Sequence, residues 1–194
     1  MKLQIICVAY HRAIPLRMLI DCFLIQTNPH WQMYIVHDGN APQDVKDVVS
    51  SYDDHRITFI ETPKRAGIWG HENRQWALRE MPRNDIDYVL ITNDDNYYVP
   101  TFVERFLEKC QKDVGFVYCN TVHSYMDYDV LQTRIKEGMI DMGSFIVRLS
   151  IAKKIGFNYM HEQGDGRYAE DCALECLMHQ LGVIYIPKCY FIHN

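Results

Sequence analysis

The chain has 194 residues, 48% hydrophobic and 23% charged, and its 20 basic and 25 acidic side chains leave a formal charge of −5. With 13 Tyr, 8 Phe and 3 Trp it is not a disordered segment, and the length fits one domain able to bury its own core. The charges are interspersed, with no basic stripe for nucleic acid and no run of the ~20 apolar residues that a membrane span needs.

Leu3–Ala9 is a β-branched run that predicts a buried strand ending at Tyr10-His11-Arg12. Pro15 opens a helical spacing of Leu16, Leu19, Ile20, Phe23 and Leu24 that closes near Asn28-Pro29. Trp31–His37 predicts a second strand running into Asp38-Gly39-Asn40, and Asp44–Tyr52 a helix with Val45, Val48 and Val49 on one face. Ile57–Ile60 is a third strand. Gly67 and Gly70 break the chain before a helix from Glu72 to Arg79. Tyr88–Thr92 is a fourth strand that runs straight into Asn93-Asp94-Asp95-Asn96.

Thr101-Phe102-Val103-Glu104 reads as a capping box that starts a helix with Phe102, Val103 and Phe106 facing inward. Val114–Cys119 is a fifth strand. From Asn120 to Met142 the periodicity is weak, which predicts loop or edge structure. Ser144–Arg148 predicts a strand, Ser150–Ile155 a short helix, Glu170–Leu181 a longer one, and Val183–Pro187 a last strand before the tail Tyr190-Phe191-Ile192-His193. Strands alternating with helices imply a parallel, doubly wound α/β sheet, whose ligands bind beyond the carboxyl ends of its strands. That rule selects the loops Tyr10–Arg12, Asp38–Asn40 and Asn93–Asn96.

Familiar nucleotide motifs are absent: no G-x-G-x-x-G follows the first strand, and there is no P-loop or nucleophile elbow. Cys172, Cys176 and His179 could share a helix face and bind zinc, but no second ligand pair has zinc-site spacing, so a buried face is the better reading. The seven cysteines are odd in number, irregularly spaced and without a secretory signal, the usage of reduced thiols in a cytoplasmic protein. Asp94 and Asp95 are adjacent acids after an apolar strand. They repel unless a cation or donors compensate, and hard oxygen ligands suit Mg²⁺ or Mn²⁺ bridging a substrate's phosphates.

In order along the chain, these pieces resemble a GT-A fold glycosyltransferase of the family 2 type. Ile5-Ile6-Cys7-Val8-Ala9-Tyr10-His11-Arg12 looks like that family's opening strand and loop. Gln26-Thr27 through Asp38-Gly39-Asn40 looks like its Gln-Thr…Asp-Asp-Gly-Ser stretch, and Arg74-Gln75-Trp76-Ala77-Leu78 is similar to its Arg-Asn-x-Gly-Leu helix. Asn93-Asp94-Asp95 stands where the family has its Asp-x-Asp metal motif. Gly143-Ser144, Ile155-Gly156-Phe157 and Glu170-Asp171 stand where it has Gly-Ser, Ile-Gly-Gly-Phe and the Glu-Asp pair that carries the base. His37, Asn93 and Gln75 depart from the pattern. The resemblance implies a single GT-A domain over 1–194, a mostly parallel twisted sheet flanked by helices, with nucleotide-sugar binding in 1–100 and acceptor and catalytic functions in 101–194.

The expected activity is metal-dependent transfer of a sugar from a nucleoside-diphosphate sugar to an acceptor hydroxyl on a glycan, glycoprotein or lipid. Ala9, Tyr10, Arg12, Asp38, Arg74, Asn93 and Asp94 are expected to bind the donor. Asp38 is the candidate for the base pocket, because a carboxylate can accept from the imide N–H of uracil, so UDP is the expected nucleotide. The resemblance turns Arg74 toward the base or the diphosphate. Asp95 is the expected ligand of Mn²⁺ or Mg²⁺, and Asp94 is expected to reach the ribose or share the cation. His193 is the expected second ligand, since some GT-A enzymes recruit a histidine near the domain end. Asp171, beside Glu170 and after the Gly-rich Gln163–Gly166, is the expected general base, opposite the leaving group, which predicts inversion. Trp69, Tyr125, Tyr128 and Tyr159 could stack on sugar rings, and Thr121–Met142 is the expected acceptor region. The chain is short for the family and is expected to be the catalytic part of a longer protein. The alternatives are a non-catalytic nucleotide- or carbohydrate-binding module and a sugar nucleotidyltransferase. The latter lacks its Gly-rich, Arg-containing loop after the first strand.

Overall fold

The computed structural model describes residues 1–67, 70–80, 85–157 and 165–194. Strands β1 (Leu3–Ala9), β2 (Trp31–His37), β3 (Ile57–Glu61) and β4 (Tyr88–Asn93) lie side by side in the order β3-β2-β1-β4, all parallel. Helices α1 (Ala13–Leu24), α2 (Gln43–Ser50) and α3 (His71–Glu80) fall between them in sequence. β1 is buried on both faces, and its side chains alternate between two cores as a pleated strand requires. Leu3, Ile5 and Cys7 join α1 and α2 through Leu16, Ile20 and Val45, while Ile6 joins Ala77 and Leu78 of α3 on the other face.

The second half departs from the simple alternation. It comprises β5 (Tyr97–Tyr98), α4 (Phe102–Leu107), β6 (Val114–His123), β7 (Val130–Leu131), β8 (Phe145–Arg148), α5 (Leu149–Ile155), α6 (Asp165–Met178) and β9 (Gly182–His193). The sheet continues β4-β8-β6-β9-β5, with β7 on the side of β6. β8 is antiparallel to both β4 and β6, and β9 is parallel to β6. Two reversals restore direction, so β6 and β9 run the same way as β1, β2 and β4. Their carboxyl ends therefore share one rim of the sheet.

Several boundaries differ from the sequence expectations for physical reasons. β9 does not stop at Pro187. Ile186 pairs with Cys119 and Cys189 with Asn120, so Pro187, which has no N–H to donate, sits in a bulge and pairing resumes beyond it. α6 starts at Asp165, so Glu170 and Asp171 lie in its second turn rather than at its start. The Thr101 side chain makes no capping bond, and Glu104 Oε2 accepts from Thr27 Oγ1 at 2.6 Å instead of closing a box. Gln26 Oε1 takes over the cap, accepting from Val103 N at 2.9 Å. Cys172 and Cys176 are fully buried in the α3–α5–α6 core, and His179 Nε2 lies 2.7 Å from Glu175, so the zinc arrangement does not form. No helix of the described residues is long and apolar enough to cross a membrane.

Candidate active site

The carboxyl ends of β1, β2 and β4 open onto a cleft of about 230 Å³. It is lined by Val8, Ala9, Tyr10 and Arg12 after β1, Asp38 after β2, Arg65, Gly67 and Gly70 before α3, and Asn93 at the end of β4. Gly70 holds the entry to α3 against β1. Its φ is +74°, and a Cβ there would stand 2.5 Å from Val8 Cγ1, so only glycine fits.

Asp38 organises one wall. Its Oδ1 accepts from Ala66 N at 2.7 Å and Asn73 Nδ2 at 2.8 Å, and its Oδ2 accepts from Gly67 N at 3.0 Å. Oδ2 also faces Arg65 Nε at 3.7 Å. His37, which stands in place of an acid, fastens the neighbouring turn. Its Nδ1 donates to Gly39 O at 2.8 Å and its Nε2 accepts from His11 N at 3.2 Å, a pattern that only the Nδ1–H tautomer satisfies. His11 pays for that bond with a left-handed φ of 54°. Its ring stacks on Tyr10 at 4.0 Å, and the Arg65 guanidinium lies 4.2 Å from the Tyr10 ring centre.

The acids form the second wall. Asp94 is fully buried, its Oδ2 accepts from Tyr10 N at 2.9 Å, and its Oδ1 lies 2.5 Å from Arg12 Nη2. Arg12 Nη1 also pairs with Asp95 Oδ2, so one guanidinium spans both carboxylates. Burial pushes the Asp94 carboxyl up to about 6, against the pull of Arg12 and the Tyr10 N–H. Desolvation acts to lower the Arg12 pKa, but the two carboxylates outweigh it and raise it. Arg74 is buried rather than open to the cleft. Its Nη2 donates to Asn93 Oδ1 at 2.6 Å and its Nη1 lies 3.0 Å from His71 Nδ1. This arginine orients the asparagine that stands in place of the motif's first acid.

Further along the rim, β6 and β9 end side by side, with His123 opposite His193. His193 Nδ1 lies 2.8 Å from Asp141 Oδ1, and His123 Nε2 lies 3.0 Å from Asp141 Oδ2. Burial pushes the His123 imidazole below its ordinary range, with Asp141 pulling the other way. Asp95 and His193, expected on one cation, therefore have different partners: Arg12 for Asp95 and Asp141 for His193.

A family model described as glycosyl transferase family 2 matches residues 4–169. The chain belongs to glycosyl transferase family 2. No curated protein sequence matches it significantly. Among solved structures it is similar to TarS 1–349 of S. aureus, with a TM-score of 0.76 and 15% identity over 100% of this chain and 60% of that one. The same TarS fragment with UDP-GlcNAc gives a TM-score of 0.75 at 15% identity, over 100% of this chain and 58% of that one. The mannosyltransferase PcManGT of Pyrobaculum calidifontis, in complex with GDP-Man and Mn²⁺, gives 0.72 at 15% identity over 99% of this chain and 56% of that one. The chain thus has the GT-A fold of these transferases and spans about three-fifths of their length.

In this family 2 chain the expected base, Asp171, sits on α6 with Arg167 Nε 3.4 Å from its Oδ1. Glu170 points to a different task, accepting the backbone N–H of Glu137 and so tying the 130s loop to α6. Tyr125 and Tyr128 are exposed, and Tyr125 meets both His123 and His193 edge to face. Trp69, Tyr159, Gln163 and Gly164 lie outside the described residues. Sequence reading missed Arg65, Asn73, His123 and Asp141. Arg65 and Asn73 carried a signal, since they flank the Gly67–Gly70 break beside a predicted rim. His123 and Asp141 lie in the weakly periodic stretch and its margin, and carried none.

Proposed function

We propose that this chain transfers a glycosyl group from a nucleoside-diphosphate sugar, UDP-linked, to an acceptor hydroxyl with inversion. The observation that carries this reading is the rim cleft itself, with Tyr10, Asp38 and Arg65 on one side and the Asp94–Asp95 pair on the other. TarS and PcManGT, which share the fold, are held in complexes with UDP-GlcNAc and with GDP-Man and Mn²⁺, both nucleoside-diphosphate sugars. Tyr10 and Arg65 offer a stacked aromatic and a cation for the base and phosphates, and Asp38, once Arg65 turns from it to the phosphates, can accept the uracil imide proton.

The donor set of two adjacent carboxylates fits a hard divalent cation, with Asp95 as its ligand and Arg12 released toward the diphosphate. Such a cation, when bound, neutralises charge on the departing diphosphate as a Lewis acid. Asp171 takes the acceptor hydroxyl's proton as that oxygen bonds to the anomeric carbon and the bond from that carbon to the diphosphate breaks, a contribution of ~10²–10⁴-fold. Calorimetry of UDP, GDP, CDP and dTDP, with Mn²⁺ and with chelator, tests the reading. Metal-dependent binding of UDP that weakens about tenfold or more in Asp95→Ala is expected. No nucleotide binding under either condition would leave a carbohydrate-binding module as the better account.

A further inference from the structure

We infer that Arg12 holds the cation's place between Asp94 and Asp95, so that a divalent ion enters only when a diphosphate draws Arg12 away. The inference rests on the donor-site reading above and adds the order in which that site fills.

Arg12 stands where a bridging ion would stand. Its Nη2 lies 2.5 Å from Asp94 Oδ1 and its Nη1 pairs with Asp95 Oδ2, one nitrogen to each carboxylate. The other arginines near the cleft have other partners: Arg65 faces Asp38, and Arg74 donates to Asn93. A guanidinium stays charged at any pH the protein meets, and it repels a divalent ion offered the same oxygens. Its single charge is set against two carboxylates, so the pair still favours a cation of higher charge. The bridge is also imperfect. Asp94 Oδ1 is buried and lacks a hydrogen bond although Arg12 stands beside it. A buried carboxylate oxygen served by charge alone keeps an acceptor position that a metal ion can use.

The geometry also lets Arg12 leave. Its side chain is 45% exposed while that of Asp94 is 0% exposed, so it reaches in from solvent and swings out without opening the core. The backbone remains anchored without it. Tyr10 N donates to Asp94 Oδ2 at 2.9 Å, and Arg12 O accepts from Leu16 N at 3.1 Å. Arg12 lines the cleft with Arg65, so a diphosphate bound there meets a planar fork that fits phosphate oxygens bidentately. Phosphate oxygens then replace the guanidinium beside the carboxylates. One or two carboxylates together with substrate phosphates form the ligand set that hard divalent ions favour.

The test titrates the whole chain with Mn²⁺, without and with UDP, followed by the electron paramagnetic resonance of the free ion and by calorimetry. Wild type is expected to bind Mn²⁺ about tenfold or more weakly without UDP than with it, within the usual span of coupled sites. Arg12→Ala is expected to bind Mn²⁺ without UDP about tenfold more tightly than wild type does, and adding Asp95→Ala should abolish that gain. Removing a metal ligand or a structural support lowers affinity, whereas removing a stand-in raises it. Arg65→Ala takes a charge from the cleft without touching the acids and should give no gain, which separates the exchange from a general change of charge. Far-UV circular dichroism checks that each variant folds. If Arg12→Ala does not fold, Arg12→Lys replaces it, since one ammonium cannot span both acids as the fork does, and a smaller gain in the same direction is expected. The inference is overturned if nucleotide-free wild type binds Mn²⁺ as tightly as the UDP-loaded chain, or if removing the fork brings no gain. The comparison of Arg12 variants needs no nucleotide, so its failure is distinct from that of the donor-site reading, which an absence of UDP binding would refute.

Discussion

At the scale of single residues, carboxylates organise much of this chain through the donors they hold. Asp54 accepts from Arg56 N at 2.9 Å and from Arg56 Nε at 3.0 Å, and the same guanidinium lies 4.0 Å over the Trp31 ring. These bonds, chiefly the one from the Arg56 side chain, hold the Asp54 carboxyl below its ordinary 3.8. A native pKa below the unfolded one means that the stabilisation is complete above about pH 4 and is lost as the pH falls through the native value. Asp54→Asn is therefore expected to lower the urea-unfolding free energy at pH 7 by at most about 1 kcal/mol, the pair being partly solvated. The difference from wild type should vanish near pH 2, and a gap that persists there would assign the effect to packing instead of charge. Asp38 shows how far such roles are legible in sequence. A turn acid at the end of a strand was readable as a rim residue. Its partners were not, because Ala66, Gly67 and Asn73 reach it only once the loop before α3 folds back over β2.

At the scale of elements, the strands and helices of the first half follow hydrophobic period closely, because β1, β2 and β4 are buried and each helix covers one face of the sheet. Where pairing depends on distant partners the pattern gave less. β5 is two residues long and exists because Tyr97 and Tyr98 meet Ile192 and Phe191 of β9. Pro187 looked like an end because the bulge that absorbs it is a property of two strands together. The junction of β5, β9 and the turn after Asp141 is tightly filled. Tyr98 Oη donates to Gly143 O at 3.1 Å, and a Cβ on Gly143 would stand 2.5 Å from the Phe191 ring and 2.7 Å from Tyr98 Oη. Gly143→Ala is expected to lower stability by about 1–3 kcal/mol through overpacking, measured by urea or thermal unfolding. An unchanged midpoint would mean that β9 and the turn can separate at no cost.

Across the whole molecule, the strands that run in one direction end on one rim of the sheet. The parallel strands β1, β2 and β4 present the groups proposed to hold a donor, and the ends of β6 and β9 lie on the same side. The sequence showed the order of these parts, but the change from parallel to mixed pairing at β8 was hidden, since a short buried strand reads alike in either direction. The division of labour has a measurable consequence. A ligand that binds only the native state raises the unfolding free energy by ~2.7 kcal/mol at 100 times its Kd. UDP with Mn²⁺ should therefore raise the thermal midpoint of wild type and of Asp171→Asn alike, because Asp171 lies on α6 and is absent from the lining of the donor cleft. Transfer to any acceptor should fall ~10²–10⁴-fold in that variant, the span expected for a general base. If Asp171→Asn lost the nucleotide-induced stabilisation as well, Asp171 would belong to donor binding, and the base would have to be sought elsewhere on the rim.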